Sequence, residues 1–311
     1  MADVENQIFQ WIKEIEPAPH QKAGAKRSQN YLRDVLCTGQ MGERIISEYL
    51  SGSYSRQTAI YPLDDVDIIF VIRPEKFVRG IIARALGLHP DPKAILASFA
   101  GAIRYRYPDS SVRVQRRSVG LRLFHLDIDV VPAIKDDIDP DIIFIPDRNV
   151  GEWIKTAPKK HGSIAAEVNA ARGQRFKPLV KLMKSWNFAL PMNAQLKSFA
   201  IETIAARLFR QNNFESYEEG ALLFLDFLAH LASQARAFKW KQTYGMSMNI
   251  WDTRVPDIAG TGSNVVSGVD AARQKRFLES AIKSRNLLLD ARSEKNPSRA
   301  NLLAKRALRM Y

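Results

Sequence analysis

A chain of 311 residues with 46% apolar and 25% charged side chains is long enough for a sizeable core and, by length, about two domains, and its composition excludes a disordered chain. A single cysteine, Cys37, excludes an internal disulfide and a cysteine-based zinc site. Residues 1–155 carry equal numbers of acids and bases, so the whole net charge of +13 falls in residues 156–311. An acid-bearing but neutral first half and a basic second half suit a metal on one side and a polyphosphate on the other. The same balance suits a basic surface that aids solubility or binds nucleic acid loosely.

The opening Met-Ala-Asp-Val-Glu-Asn lacks the basic-then-apolar layout of a signal peptide. The longest apolar run, residues 221–232, is interrupted by Asp226 and His230 and is too short to span a bilayer. A cytoplasmic protein without a membrane partner is therefore expected.

In chain order, residues 4–16 and 28–50 read as helices separated by Pro17-Ala-Pro19. The second leads into Gly52-Ser53-Tyr-Ser-Arg56-Gln-Thr58, where a Gly-Ser turn offers backbone N–H groups and a hydroxyl to an anion. Asp65 to Ile72 is apolar and rich in branched residues, a buried strand. Pro92 to Tyr107 has helical spacing and ends at Pro108-Asp-Ser. Two strand-like runs follow, Ser111 to Leu123 and His125 to Ile134, and then a short one from Ile142 to Pro146. After Trp153 helical patterns dominate, at 163–172, 176–189, 198–210, 218–236 and 270–291, with a loop from Asp252 to Ser267. Beyond about residue 292 the chain is polar and basic, is broken at Asn296-Pro297, and frays or forms a short helix. The domain boundary is expected at 155–165.

Asp65 and Asp67, at i and i+2 of a strand, share one face, and so do Asp127 and Asp129. Asp64 has the opposite parity. Carboxylates embedded in apolar sequence are expensive unless a cation sits among them, and oxygen-only ligands favour Mg²⁺ or Mn²⁺. Asp65, Asp67 and one of Asp127 or Asp129 would form such a cluster if their strands are neighbours; spacing alone does not separate the last two. Lys177, Lys181 and Lys184 form one helical stripe that suits a triphosphate, or equally a solvated face. Ser198 reads as a helix N-cap or a phosphate contact. Lys155, Lys159, Lys160 and His161 read as a basic surface loop or, as the lesser alternative, a second nucleotide contact, and the five histidines show no ligand spacing.

The set Gly52-Ser53-Tyr-x-Arg56-x-Thr58, Asp65-x-Asp67 and Asp129-Val-Val-Pro132-Ala resembles the polymerase-β-type nucleotidyltransferases. Within that superfamily it is most similar to the bacterial cGAS/DncV-like nucleotidyltransferases, relatives of the 2′-5′ oligoadenylate synthases. Trp153 with Thr156-Ala-Pro158, Leu-Met-Lys184-Ser-Trp186 and Leu-Lys-Ser198-Phe-x-x-Glu202 extend the likeness over about residues 45–270. The resemblance implies an α+β, bilobal fold: a catalytic core with a mixed sheet and the N-terminal helices over residues 1–160, and a helical nucleotide-binding lobe over 161–311. The nucleotide is expected between the lobes. It also implies that Asp129 rather than Asp127 is the third metal ligand. Asp65, Asp67 and Asp129 are then catalytic residues holding two Mg²⁺ ions (Mn²⁺ as a substitute), while Gly52, Ser53, Lys184 and Ser198 hold the donor phosphates. The implied reaction joins NTPs, ATP among them, into a cyclic di- or trinucleotide and releases pyrophosphate, in bacterial antiphage signalling. The implied partners are a product-activated effector and a regulatory protein or nucleic-acid activator. The alternatives are nucleotide addition to an RNA end or a protein, and a non-catalytic basic nucleic-acid-binding protein.

Overall fold

The computed structural model describes residues 2–78, 89–231 and 254–310. The chain opens with helices α1 (Ala2–Glu14) and α2 (Pro19–Thr38). Strand β1 (Ile45–Ser51), the short α3 (Gly52–Arg56), β2 (Asp65–Ile72) and α4 (Pro92–Arg106) come next. They are followed by β3 (Ser111–Val114), β4 (Val119–Arg122), β5 (Asp127–Lys135), β6 (Ile143–Asp147) and β7 (Glu152–Thr156). The remaining elements are helices α5 (Pro158–Ala171), α6 (Phe176–Phe188), α7 (Ser198–Gln211), α8 (Tyr217–Leu231), α9 (Ala271–Ser293) and α10 (Pro297–Leu308). They fall into two compact units, one of Pro17–Gly162 and one joining Met1–Glu16 to Ser163–Tyr311. Among the described residues no helix is long and apolar enough to cross a membrane.

In the first unit the sheet has the order β1-β2-β5-β4-β3, with β6 on the far end of β5 and β7 on β6. β2 and β5 are parallel; the other pairs are antiparallel. Side chains alternate between the faces. Val66, Ile68, Phe70 and Ile72 join Ile128 and Val130 on one face, buried under Leu32 and Leu36 of α2 and Leu96, Phe99 and Ile103 of α4. On the other face Ile69, Val71, Ala133 and Ile143 form a smaller apolar patch. Beyond the aspartates both faces of β2 are covered, which explains its unbroken apolar run.

Several elements differ from the sequence reading. The helix expected over 28–50 stops at Thr38, because Ile45–Ser51 pairs antiparallel with β2 and the sheet hydrogen bonds override its helical spacing. The run Ser111 to Leu123 is a hairpin rather than one strand, turned at Gln115–Ser118 by a Gln115 N–H to Ser118 O bond of 2.9 Å. Glu152–Thr156, to which the sequence reading assigned no strand, pairs antiparallel with β6. Asn296-Pro297 starts a helix: the Asn296 side chain accepts from Arg299 N–H at 3.1 Å, and Pro297 occupies the first helical position. Of the helix expected at 218–236, residues 232–236 lie outside the described residues, as does the start of the loop from Asp252.

The helical unit is built on large buried rings, with Trp186, Phe176, Phe209, Phe224 and Phe227 inaccessible to solvent. Trp186 donates to Ser284 Oγ at 2.9 Å, so its N–H is not left unsatisfied in that core. Residues 1–16, expected with the sheet, belong to this unit. Val4, Ile8, Trp11, Ile12 and Ile15 form one apolar helical stripe buried in the helical core. The Glu5 carboxylate accepts from the N–H groups of Tyr217 and Glu218 at 2.9 and 2.8 Å, capping α8.

Candidate active site

Strand register brings the acids together. Ser51 lies opposite Asp67, Asp67 neighbours Asp129, and Asp129 faces Gly120, making one row across β1, β2, β5 and β4. Two residues back, Asp65 neighbours Asp127, which faces Arg122. Residues opposed across strands share a face, so the four carboxylates stand on one side of the sheet, opposite the α2–α4 core.

The two candidates for the third position are separated by their partners. Arg122 grips Asp127 with Nε 3.2 Å from Oδ1 and Nη2 3.2 Å from Oδ2, and this forked pairing occupies both oxygens. Asp129 is half-buried and accepts a neutral bond at 2.9 Å from Gln115 Nε2. Burial pushes the Asp129 carboxyl above its usual range, repulsion from Asp65 and Asp127 adds to this, and hydrogen bonds with Gln115 and Ser118 oppose it. Asp64 is also raised, by burial and by Asp65 and Asp127. A local excess of negative charge therefore lies at the open end of β2 and β5.

Gly52 turns the end of β1 across this row. Its φ is +67°, and a Cβ at this position would overlap Asp67 Oδ2. A side chain at 52 would displace a carboxylate of the pair, so glycine is required by the backbone conformation and by the approach. Ser53 follows in the first turn of α3, which Thr58 N–H closes on Ser53 O at 2.9 Å. Gly52 thus stands against Asp67, with Ser53 next in the chain.

Among the described residues no three acids, histidines or cysteines stand close enough, as their side chains lie, to hold a metal ion. The donor set nonetheless fits a hard divalent cation: Asp65, Asp67 and Asp129 offer only oxygens and share a face on adjacent strands, and repulsion from Asp65 adds to the burial that raises the Asp129 carboxyl.

In the helical unit, Lys184 is buried on α6 and paired with the buried Glu202 of α7 at 3.1 Å. Lys181 is buried and paired with Glu16. The stripe is therefore not a solvated face. Lys177, partly covered, is held below the usual lysine range by burial and by Lys181. Ser198 is exposed at the first position of α7 but is not its cap; Lys197 holds that position, without a side-chain bond. In the loop expected to be surface, Lys160 pairs with Asp139 at 3.3 Å, Lys159 lies 5.0 Å above the Tyr49 ring, and His161 is buried. Gln115, Gly120 and Arg122 were invisible to the sequence reading, because their nearness to the acids depends on a hairpin register that no motif marks.

Residues 2–169 match the Second Messenger Oligonucleotide or Dinucleotide Synthetase (SMODS) domain. The chain belongs to this family. Over 307 residues it is 29% identical to the cyclic AMP-AMP-AMP synthase of Acinetobacter sp. (strain ATCC 27244 / 9458), covering 98% of this chain and 84% of that protein. Its fold is similar to that of E. coli MS115-1 CdnC in complex with HORMA-deltaN, with a TM-score of 0.76, 18% identity, and 98% of this chain and 96% of that chain covered. CdnC with ATP gives a TM-score of 0.74 at 21% identity, covering 98% and 97%. The SMODS protein described here is thus a nucleotidyltransferase of the cyclic oligonucleotide synthase class with a polymerase-β-like α+β fold, which sets aside the non-catalytic reading. Asp65, Asp67, Asp129, Gly52 and Ser53 fall inside the SMODS match; Lys184 and Ser198 lie beyond it, within the whole-chain likeness.

Proposed function

We propose that this synthetase joins NTPs, ATP among them, into a cyclic di- or trinucleotide with release of pyrophosphate, using Mg²⁺. The observation that carries the reading is the in-register pairing of Asp65 and Asp67 with Asp127 and Asp129, with Arg122 engaging Asp127 and leaving Asp129 to complete the set. In each step a ribose hydroxyl oxygen bonds to the α-phosphorus of a second nucleotide, the bond to pyrophosphate breaks, and the hydroxyl proton is lost. A final attack within the linear product closes the ring.

Asp65, Asp67 and Asp129 hold the divalent cations, and Asp129 orients the attacking hydroxyl. Bound there, Mg²⁺ or Mn²⁺ makes that hydroxyl more acidic and offsets charge on the leaving pyrophosphate. Gly52 and Ser53 present backbone N–H groups and a hydroxyl to the donor phosphates, and Lys184 and Ser198 add to that grip. Because Lys184 is already paired with Glu202, a triphosphate competes with that carboxylate for the ammonium. The likeness to a cyclic AMP-AMP-AMP synthase over 98% of this chain and 84% of that protein favours ATP as substrate and a triadenylate ring as product. The CdnC:HORMA-deltaN complex favours control by a regulatory protein, and a product-activated effector in cytoplasmic antiphage signalling completes the proposal.

Incubating the protein with Mg²⁺ and all four NTPs, followed by phosphatase treatment and mass spectrometry, tests it. A phosphatase-resistant ring containing AMP is expected. Consumption of NTPs, or nucleotide addition to an RNA included in a parallel reaction, with no small cyclic product would overturn it.

A further inference from the structure

We propose that Gln115 is a positioning residue for Asp129, delivered to it by a turn that the buried Asp147 locks in place; the inference rests on reading Asp129 as a cation ligand. Gln115 opens the β3–β4 turn, and its side chain folds back over Gly120, where an added Cβ would stand 2.5 Å from Nε2 and 3.2 Å from Asp129 Oδ1. The amide nitrogen donates to Asp129 Oδ1 at 2.9 Å. The Asp129 carboxylate is an acceptor, which turns the amide nitrogen toward it and the amide oxygen toward Ser118 Oγ, which donates to that oxygen at 3.0 Å.

The turn is held from behind. Asp147, at the end of β6 and fully buried, accepts from Arg116 Nε at 2.7 Å, Arg117 Nε at 3.0 Å and Asn149 N–H at 3.1 Å. Arg148 donates from its backbone to Arg116 O at 3.0 Å and from its guanidinium to Val114 O at 2.7 Å. A four-residue hairpin turn forms without any such anchor. What the anchor adds is a fixed direction for Gln115. The amide bond on Oδ1 restrains rotation of the Asp129 carboxylate, the kind of outer support that orients metal ligands.

Gln115 is exposed, so replacing it leaves the core intact and isolates the positioning role. The test measures Mn²⁺ binding by calorimetry in the presence of a non-hydrolysable ATP analogue, with thermal midpoint and the KM for ATP as companions. Gln115→Ala is expected to weaken Mn²⁺ binding roughly tenfold or more, with the thermal midpoint and the KM at saturating Mn²⁺ unchanged. Gly120→Ala should give the same loss with the glutamine still present, by displacing it. Asp147→Asn should add a lower thermal midpoint. Mn²⁺ affinity in Gln115→Ala within about twofold of the parent, while Asp129→Ala loses binding, would overturn the inference alone. Unchanged Mn²⁺ binding in Asp129→Ala would instead overturn the ligand reading on which it rests.

Discussion

Asp129 carries a cost in the free protein that its proposed role explains. Burial, then repulsion from Asp65 and Asp127, raises its folded pKa above the unfolded value of 3.8. The folded state therefore holds this proton to higher pH than the unfolded chain does. Stability linked to the group is present below the unfolded pKa, is lost as pH rises through the folded pKa, and stays lost at neutral pH. Asp129→Asn should accordingly raise the thermal midpoint of the metal-free protein at pH 7, leave it little changed near the unfolded pKa, and abolish synthesis. A lower midpoint at pH 7 on scanning calorimetry in chelator would contradict this. The acids themselves were legible in the sequence, since i, i+2 parity within apolar strands marks a shared face. Gly52 was legible only in part. Its motif pointed to a phosphate, whereas the most immediate constraint is the carboxylate of Asp67 against its Cα.

At the level of elements, what was misread depended on distant partners. β1 has an ambiguous pattern until β2 supplies its hydrogen bonds, and β7 is five residues that only β6 makes a strand. The helices of the second half were legible because their apolar stripes repeat over several turns. The membership of α1 was not, because it is decided by a stripe that meets the helical core and by one carboxylate capping a helix more than 200 residues away. That cap is testable. Glu5→Ala leaves two N–H groups of α8 without their acceptor and should cost about 1 kcal/mol, as loss of a helix cap typically does. Urea unfolding followed by circular dichroism measures it, and an unchanged midpoint would show that the cap contributes nothing.

Across the whole molecule, charge and chemistry divide along the same line. The acid cluster and Gly52-Ser53 belong to the sheet-bearing unit, while the net positive charge lies in residues 156–311, most of them in the helical unit with Lys184 and Ser198. Family membership rests on the first of these, and the whole-chain likeness to a cyclic AMP-AMP-AMP synthase extends over both. The account stands on the carboxylates of β2. The most direct measurement is cyclic product formation from ATP and Mg²⁺ by the Asp65→Ala, Asp67→Ala double variant, alongside its circular dichroism spectrum. Both side chains stand at the open end of the strand, outside the apolar core, so the spectrum should match the parent while product and pyrophosphate release fall below detection. Normal turnover by a folded double variant would contradict the account.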